Sequence, residues 1–536
     1  MVPRREPPDT ELLEPGRGER VQPQRVAFSR NGMASTAHYL ATDAAVGALR
    51  DGGNAIDAAV AAAFALGVCE PQASGLGGQT MMLVHLADPR RTFALDGSSR
   101  APNRATPEEV NRKRRRGYRA TTVPSTPAVL GYALERYGTL PLDRLLQPSI
   151  ALAENGFPLS DLQRALMRRE RRHLRARNAA SIFLRDGRRV PPVGAIVRQP
   201  ALAHTLRRLA EAGVEDFYTG DIARLIHEDM VRNDGLIRDD DLAQIPWPIE
   251  RRPLATRFRE MRVVTFPPPG AGRALLEMLH IVEQLPEKNW IPDRPESAVA
   301  LAEVIRRAAI DRRDRPYDPN FYPQIPDKTM LSRDYARQQA VRIRRRARRR
   351  GGETTHLSVM DRFGNVVALT QSIELVFGAC VATPELGFLY NNYMTAFDYE
   401  DIAHPYSMRP NAAPWASVAP TIVFRGPRPW LAIGSPGSER IISAIMQVLL
   451  RLRTHRPFEA VAAPRLHCSV DGRVSLEASR FRDDIPEALG KHGFTIDRRD
   501  AYSFYLGCVQ LVLRERRGYV GVADPRRDGS AGGPHA

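Results

Sequence analysis

Gly351-Gly352-Glu353-Thr354-Thr355-His356-Leu357-Ser358-Val359-Met360-Asp361-Arg362-Phe363-Gly364-Asn365-Val366-Val367-Ala368-Leu369-Thr370-Gln371-Ser372 is the stretch that decides how this chain folds. Leu357 and Val359 alternate with His356 and Ser358, and Val367 and Leu369 alternate in the same way beyond the Asp361-to-Asn365 turn, which is the period of a β-hairpin. A three-residue loop from Arg362 to Gly364, with Gly364 left-handed, sets Asp361 opposite Asn365. By that count Thr354 faces Ser372, and two hydroxyls meet across one ladder.

A threonine hydroxyl attacks poorly unless a base within hydrogen-bond reach takes its proton. The amine of the same residue is such a base, with an ordinary pKa near ~8, once the Glu353–Thr354 peptide bond has been broken. The stretch therefore reads as a threonine nucleophile made by self-cleavage. Taken alone, it also fits a plain surface hairpin.

A second element changes that balance. Trp430-Leu431-Ala432-Ile433-Gly434-Ser435-Pro436-Gly437-Ser438-Glu439-Arg440-Ile441 reads as strand, tight turn and helix start. Glycine lets backbone amides approach a ligand closely, as acyl transfer requires where negative charge develops on a carbonyl oxygen.

The chain has 536 residues, 43% hydrophobic and 26% charged, enough for a large core. Its most apolar run, Ala55 to Val68, is shorter than the ~20 residues of a membrane span, and the N-terminus lacks the apolar region of a secretory signal. A soluble, cytoplasmic protein without a membrane partner is expected. Cys69, Cys380, Cys468 and Cys508 are widely separated and show no metal-ligand spacing, so neither disulfide framework, metal nor cofactor is expected. The net charge of +17 comes almost wholly from arginine, concentrated in Arg112–Arg119, Arg168–Arg177 and Arg342–Arg350. With no interleaved aromatics or nucleic-acid motif, these runs read as solvated faces and no nucleic-acid partner is expected.

Residues 1–28 and 528–536 read as disordered tails. Between them, Thr42–Leu49 reads as helical up to Gly52-Gly53, and Asn54 caps a buried helix from Ala55 to Leu66. Met81–Leu86 and Thr92–Leu95 read as strands. Residues 140–350 read as mainly helical, interrupted at Pro267-Pro268-Pro269-Gly270, and short strands follow residue 354 with one strong helix over Glu439–Leu452. Segregated helices and strands predict an α+β or αββα architecture.

Taken together, the chain resembles the gamma-glutamyltranspeptidase family of N-terminal nucleophile hydrolases from about Met33 to Arg527. The resemblance rests on Gly52-Gly53-Asn54-Ala55-Ile56-Asp57-Ala58-Ala59-Val60, Glu70-Pro71, Ser74-Gly75-Leu76-Gly77-Gly78, Tyr137-Gly138-Thr139-Leu140, Ala153-Glu154-Asn155-Gly156-Phe157-Pro158, and Phe217-Tyr218-Thr219-Gly220. It continues through Pro267-Pro268-Pro269, Thr354-Thr355-His356, Pro420-Thr421-Ile422-Val423, Gly434-Ser435-Pro436-Gly437 and Asp524-Pro525-Arg526-Arg527.

The resemblance implies a four-layer αββα sandwich made as one precursor that cuts itself between Glu353 and Thr354. Residues 29–353 then form a large subunit and residues 354–527 a small one, and the two remain associated. Thr354 is the implied nucleophile, Ser372 its supporting hydroxyl, and the backbone amides of Gly437 and Ser438 the oxyanion donors. The expected partners are a small-molecule amide or γ-glutamyl donor and a water or amine acceptor.

The donor pocket departs from the family pattern. The family's carboxylate-binding arginine aligns with Ser98, and Arg100 shares its face two residues on. A family asparagine aligns with Glu374, and two further polar positions align with Tyr393 and Ala396. Of a serine pair only Ser417 remains, beside Ala416, while Glu374 and Asp398 are left to hold an amine. The segment from Ala396 to Pro414 is shorter than in family members with a long lid. The implied activity is amide hydrolysis or acyl transfer on a γ-glutamyl or related donor. The alternatives are a family member turned to a non-glutamyl substrate, a non-catalytic binding scaffold, and polyanion binding through arginine.

Overall fold

The computed structural model describes residues 23–106, 108–110, 115–245, 248–314, 332–342 and 353–535. Expectations placed on residues 1–22, on Gly351-Gly352 and on residues 343–350 lie outside them.

Two seven-stranded sheets organise the molecule. One runs, edge to edge, through Val26–Ser29, Gly518–Ala523, Gln510–Glu515, Arg428–Gly434, Thr421–Arg425, Met261–Thr265 and Leu254–Phe258. The other runs through Ser530–Gly532, Gly32–Thr36, Glu353–Asp361, Val366–Glu374, Gln79–Leu86, Arg91–Gly97 and Ile249–Arg251. Neighbouring strands in both sheets are antiparallel.

Side chains alternate along each strand, so the central strands of the two sheets supply two cores each. Met33, Met81, Leu83, Met360 and Ala368 of one sheet meet Val264, Ile422, Ala432 and Val512 of the other in an apolar layer between them. On the outer face of the hairpin sheet, Leu357, Val359, Val367 and Leu369 pack with Ala55–Cys69 and its neighbouring helices. On the outer face of the other, Val263, Leu431, Ile433 and Leu511 pack with Gly272–Glu283, Pro295–Asp314 and Arg440–Arg451. Three apolar layers between four layers of structure make this an α+β protein of the αββα sandwich type.

The helix Ala55–Cys69 shows how the sequence positions the hairpin. Asn54 accepts from the Ile56 and Asp57 amides, and Asp57 accepts from the Asn54 amide, a reciprocal cap that fixes the helix start. Asp361, at the hairpin turn, accepts the next amide, that of Ala55, at 2.9 Å. Its other oxygen accepts from Phe363 and Asn365, while Gly364 takes a φ of +96° to close the loop. One carboxylate thus ties the turn to the buried helix.

Two expectations are corrected. Residues 528–535 are not a tail, because Ser530–Gly532 pairs with Gly32–Thr36 at a sheet edge. Their glycines serve close packing, since a Cβ on Gly533 would stand 2.3 Å from the Gly32 carbonyl oxygen. Likewise Val26–Ser29, partly placed in the N-terminal tail, is an edge strand. The stretch 140–350 also contributes the strands Ile249–Arg251, Leu254–Phe258 and Met261–Thr265, whose alternation is hidden among helical neighbours.

All four cysteines are buried and unpaired. Among the described residues, no helix is long and apolar enough to cross a membrane, and no group of three His, Cys, Asp or Glu side chains is placed to hold a metal.

Candidate active site

The hairpin pairs Met360 with Val366, Leu357 with Leu369 and Thr355 with Gln371, the register counted from the sequence. It shifts between Glu353 and Thr355, where Glu353 comes to face Glu374. Thr354 lies at this irregularity, buried, and its Oγ1 donates to Ser372 Oγ at 3.4 Å, the long end of a hydroxyl contact. Ser372 Oγ also accepts from the Glu374 amide at 3.0 Å. Glu374 takes a φ of +76°, turning the chain away immediately beyond this pair.

Thr355, next along, donates to Glu70 Oε2 at 2.5 Å. Glu70 caps the buried helix and receives Arg527 Nη1 at 3.3 Å on its other oxygen. Burial pushes the Glu70 carboxyl above its usual range, and Arg527 and the Thr355 hydroxyl oppose that rise. His356 bonds Thr370 Oγ1 at 2.8 Å through Nδ1 and Ser358 Oγ at 3.1 Å through Nε2. Complete burial lowers its pKa to about 3, so this imidazole is neutral and structural.

Gly434 ends its strand directly against the His356 ring, which brings the glycine turn to the strand that carries Thr354. The turn is held from behind, because Ser435 Oγ accepts the Cys508 amide and Gly507 packs on Gly437. Gly437 has a φ of +120° and Ser438 one of +53°, and their carbonyls accept from Arg440 and Ile441. Neither the Gly437 nor the Ser438 amide donates to a described residue.

The expected substrate residues fare differently. Tyr393 is buried with its hydroxyl beside Ser372 and Gln79, and burial, then the neighbouring Glu374 charge, raises its pKa. The structure thus brings Thr354, Ser372, Glu374 and Tyr393 together. Ser98 instead donates to Asp96 Oδ1 at 2.6 Å, and Asp96 is engaged by Arg251 at 2.7 Å. Arg100 donates to the Asn411 carbonyl at 3.4 Å. Asp398 closes its own turn by accepting the Glu400 and Asp401 amides. Ser417 meets Arg312 Nη1 at 3.4 Å, while Arg312 Nη2 donates to the Ala416 carbonyl and the guanidinium stacks on Trp415.

Several residues at the site escaped sequence reasoning. Gln79 lies opposite Ser372 in the ladder, and its carbonyl oxygen accepts from the Ser99 amide and hydroxyl. Asn391 accepts from the Thr122 amide and hydroxyl and from the Tyr393 amide, which fixes the segment carrying Tyr393. Only the glycines of Ser74–Gly78, just before Gln79, signalled a close backbone approach here. Glu70 and Arg527 stood in quoted motifs, but nothing local linked them to Thr355.

A face-to-face pair of antiparallel sheets between helical layers, with a Thr-Thr-His strand beginning in one sheet beside a glycine turn from the other, has the fold of the N-terminal nucleophile hydrolases. Residues 41–533 match the family model described as gamma-glutamyltranspeptidase. The chain is 30% identical over 535 residues to "Glutathione hydrolase proenzyme" of Escherichia coli (strain K12), covering 93% of this chain and 91% of that one. It is 34% identical over 499 residues to "Acylase ACY 1 proenzyme" of Pseudomonas sp. (strain SE83), covering 87% of each. The solved structure of cephalosporin acylase from Bacillus halodurans superposes with a TM-score of 0.88 at 28% identity, over 98% of this chain and 99% of that one. The chain belongs to the gamma-glutamyltranspeptidase family. It is an enzyme of the amide-hydrolysing and acyl-transferring kind.

Proposed function

We propose that the chain is a self-processing threonine-nucleophile amidohydrolase or acyltransferase. The observation that carries this reading is the Thr354 Oγ1 to Ser372 Oγ contact, at the head of a strand lying beside the glycine turn. In processing, Thr354 Oγ1 attacks the Glu353 carbonyl carbon, the C–N bond breaks, and water hydrolyses the resulting ester. Residues up to 353 then form the large piece. Those from 354 form the small one, which extends past residue 527 to the edge strand Ser530–Gly532.

In turnover, Thr354 Oγ1 attacks the acyl carbon of the donor while its proton passes to the Thr354 amine. The Gly437 and Ser438 amides receive the developing oxyanion. The ammonium returns the proton to the leaving amine, an acyl ester stays on Oγ1, and water or an acceptor amine reverses the steps. Ser372 holds the Thr354 hydroxyl in line for attack.

A γ-glutamyl or related acyl amide is the donor this family membership favours. The pocket supports a second reading, a non-glutamyl donor, because Tyr393 fills the space beside Ser372 while Ser98 and Asp398 are turned to partners of their own. Denaturing electrophoresis with N-terminal sequencing tests the primary reading. Fragments of roughly 39 and 20 kDa are expected, the smaller beginning at Thr354. A chain that stays whole, or is cut elsewhere, overturns it.

A further inference from the structure

The Glu70–Arg527 pair lies one residue from the nucleophile, and the acyl-transfer steps above leave it without a role. Both side chains are buried, Glu70 at 2% exposure and Arg527 at 3%. Glu70 Oε2 accepts the Thr355 hydroxyl at 2.5 Å, and Oε1 accepts Arg527 Nη1 at 3.3 Å and Gln72 Nε2 at 3.5 Å. Arg527 also stacks on Phe504 at 4.6 Å, in the short helical turn Phe504–Leu506 that leads into Gly507. Gly507 in turn packs against Gly437. One ion pair therefore connects the strand carrying Thr354 to the support of the glycine turn.

Consecutive Cα atoms lie about 3.8 Å apart, so with the reach of the Thr355 side chain and its 2.5 Å bond the Glu70 carboxylate stands within about 10 Å of the Thr354 nitrogen. A lone buried charge at that range shifts a neighbouring amine by about one pH unit. The nucleophile's amine must be neutral to accept a proton, and an uncompensated Glu70 would hold it protonated. We propose that Glu70 and Arg527 are a positioning pair for the nucleophile, Glu70 fixing Thr355 and Arg527 cancelling the carboxylate's field at the Thr354 amine. This rests on the reading that cleavage frees that amine. Among the described residues, Cys69, Cys508, Asp524 and Asp528 also stand around the pair. On the Ser372 side stand Glu374 and Tyr393.

The test measures the Thr354 amine directly and needs no turnover. The full-length protein is acetylated with acetic anhydride across a pH series, and the extent of labelling on the peptide beginning at Thr354 is read by mass spectrometry. Arg527→Met removes the cation from beside Glu70 and, over the alkaline range in which the amine titrates and Glu70 is ionised, is expected to raise the amine's titration midpoint by about one unit. Glu70→Gln removes the carboxylate and keeps the guanidinium, and is expected to lower the midpoint by a similar amount. The double variant, which buries no unpaired charge and also serves if Arg527→Met fails to fold, should return close to the wild-type midpoint. Midpoints that stay fixed, or move the same way in both single variants, overturn the pairing. Absence of any peptide beginning at Thr354 in the wild type instead overturns the self-processing reading beneath it.

Discussion

Gly434 lies so close to the His356 imidazole that a Cβ on residue 434 would stand 2.2 Å from the ring. The ring cannot retreat, because both its nitrogens are bonded within the hairpin. Contact between the two sheets at the candidate site therefore depends on the absence of a side chain. Gly434→Ala is expected to cost about 1–3 kcal/mol of stability and to slow cleavage at Thr354. Thermal melts and the time course of fragment appearance check this, and a variant indistinguishable from wild type would refute the argument.

Thr354→Ala should leave a single uncut chain without turnover. Ser372→Ala keeps Thr354 but removes its 3.4 Å partner, so cleavage and turnover should both slow by about 10- to 100-fold. Rate measurement on freshly purified protein separates the two outcomes. A full-speed Ser372→Ala variant would remove Ser372 from the chemistry.

Histidine burial makes the fold sensitive to acid. His356 and His467 have pKa values lowered to about 3, and His38 and His85 to about 4, in each case chiefly by burial. Unfolding returns them toward about 6.5, so between these limits the unfolded chain binds more protons. Their contribution is fully present above about pH 6.5 and is lost as pH falls toward 3–4. Melting temperature should drop progressively below pH 6.5, and a flat profile from pH 7.5 to 4.5 would contradict the assignment.

Ser438 holds a φ of +53°, where a residue with a Cβ is strained. Glycine at this position should therefore be more stable than alanine by about 1 kcal/mol. Chemical denaturation of Ser438→Gly and Ser438→Ala measures the difference, and equal midpoints would show that the turn relaxes.

The donor pocket makes its own prediction. A site built to pair both α-groups of a γ-glutamyl donor prefers it to the butyryl analogue lacking them by about 10⁴-fold or more. With Ser98 bonded to Asp96 and Asp398 closing its own turn, a preference below about 100-fold in kcat/KM is expected on the 4-nitroanilides. A preference at the higher figure would mean that Arg100, Glu374 and Ser417 rearrange to grip glutamate.

Legibility from sequence followed the range of the forces involved. The hairpin register was readable because a period of two and one left-handed glycine fix it locally, and the count holds from Thr355 to Met360. The shift before Thr355 was not readable, since it depends on Glu374 turning at the strand's end. The glycine turn was visible in Gly434–Gly437, but the ring that demands Gly434 comes from the other sheet. Glu70 and Thr355 meet across 285 residues of chain, a contact that no local pattern encodes. Proline and glycine near the C-terminus suggested disorder, whereas Gly533 is there because another backbone passes beside it.

The edge strand Ser530–Gly532 bears on what a cut before Thr354 would do mechanically. In its sheet, Gly32–Thr36 lies between Ser530–Gly532 on one side and Glu353–Asp361 on the other. In the opposite sheet, Val26–Ser29 flanks Gly518–Ala523, and Met261–Thr265 flanks Thr421–Arg425. The two products would be woven through each other, with strand-to-strand seams in both sheets. Breaking one peptide bond would free a chain end without releasing a fragment, and the pieces would travel as one hydrodynamic particle until the whole sandwich melts.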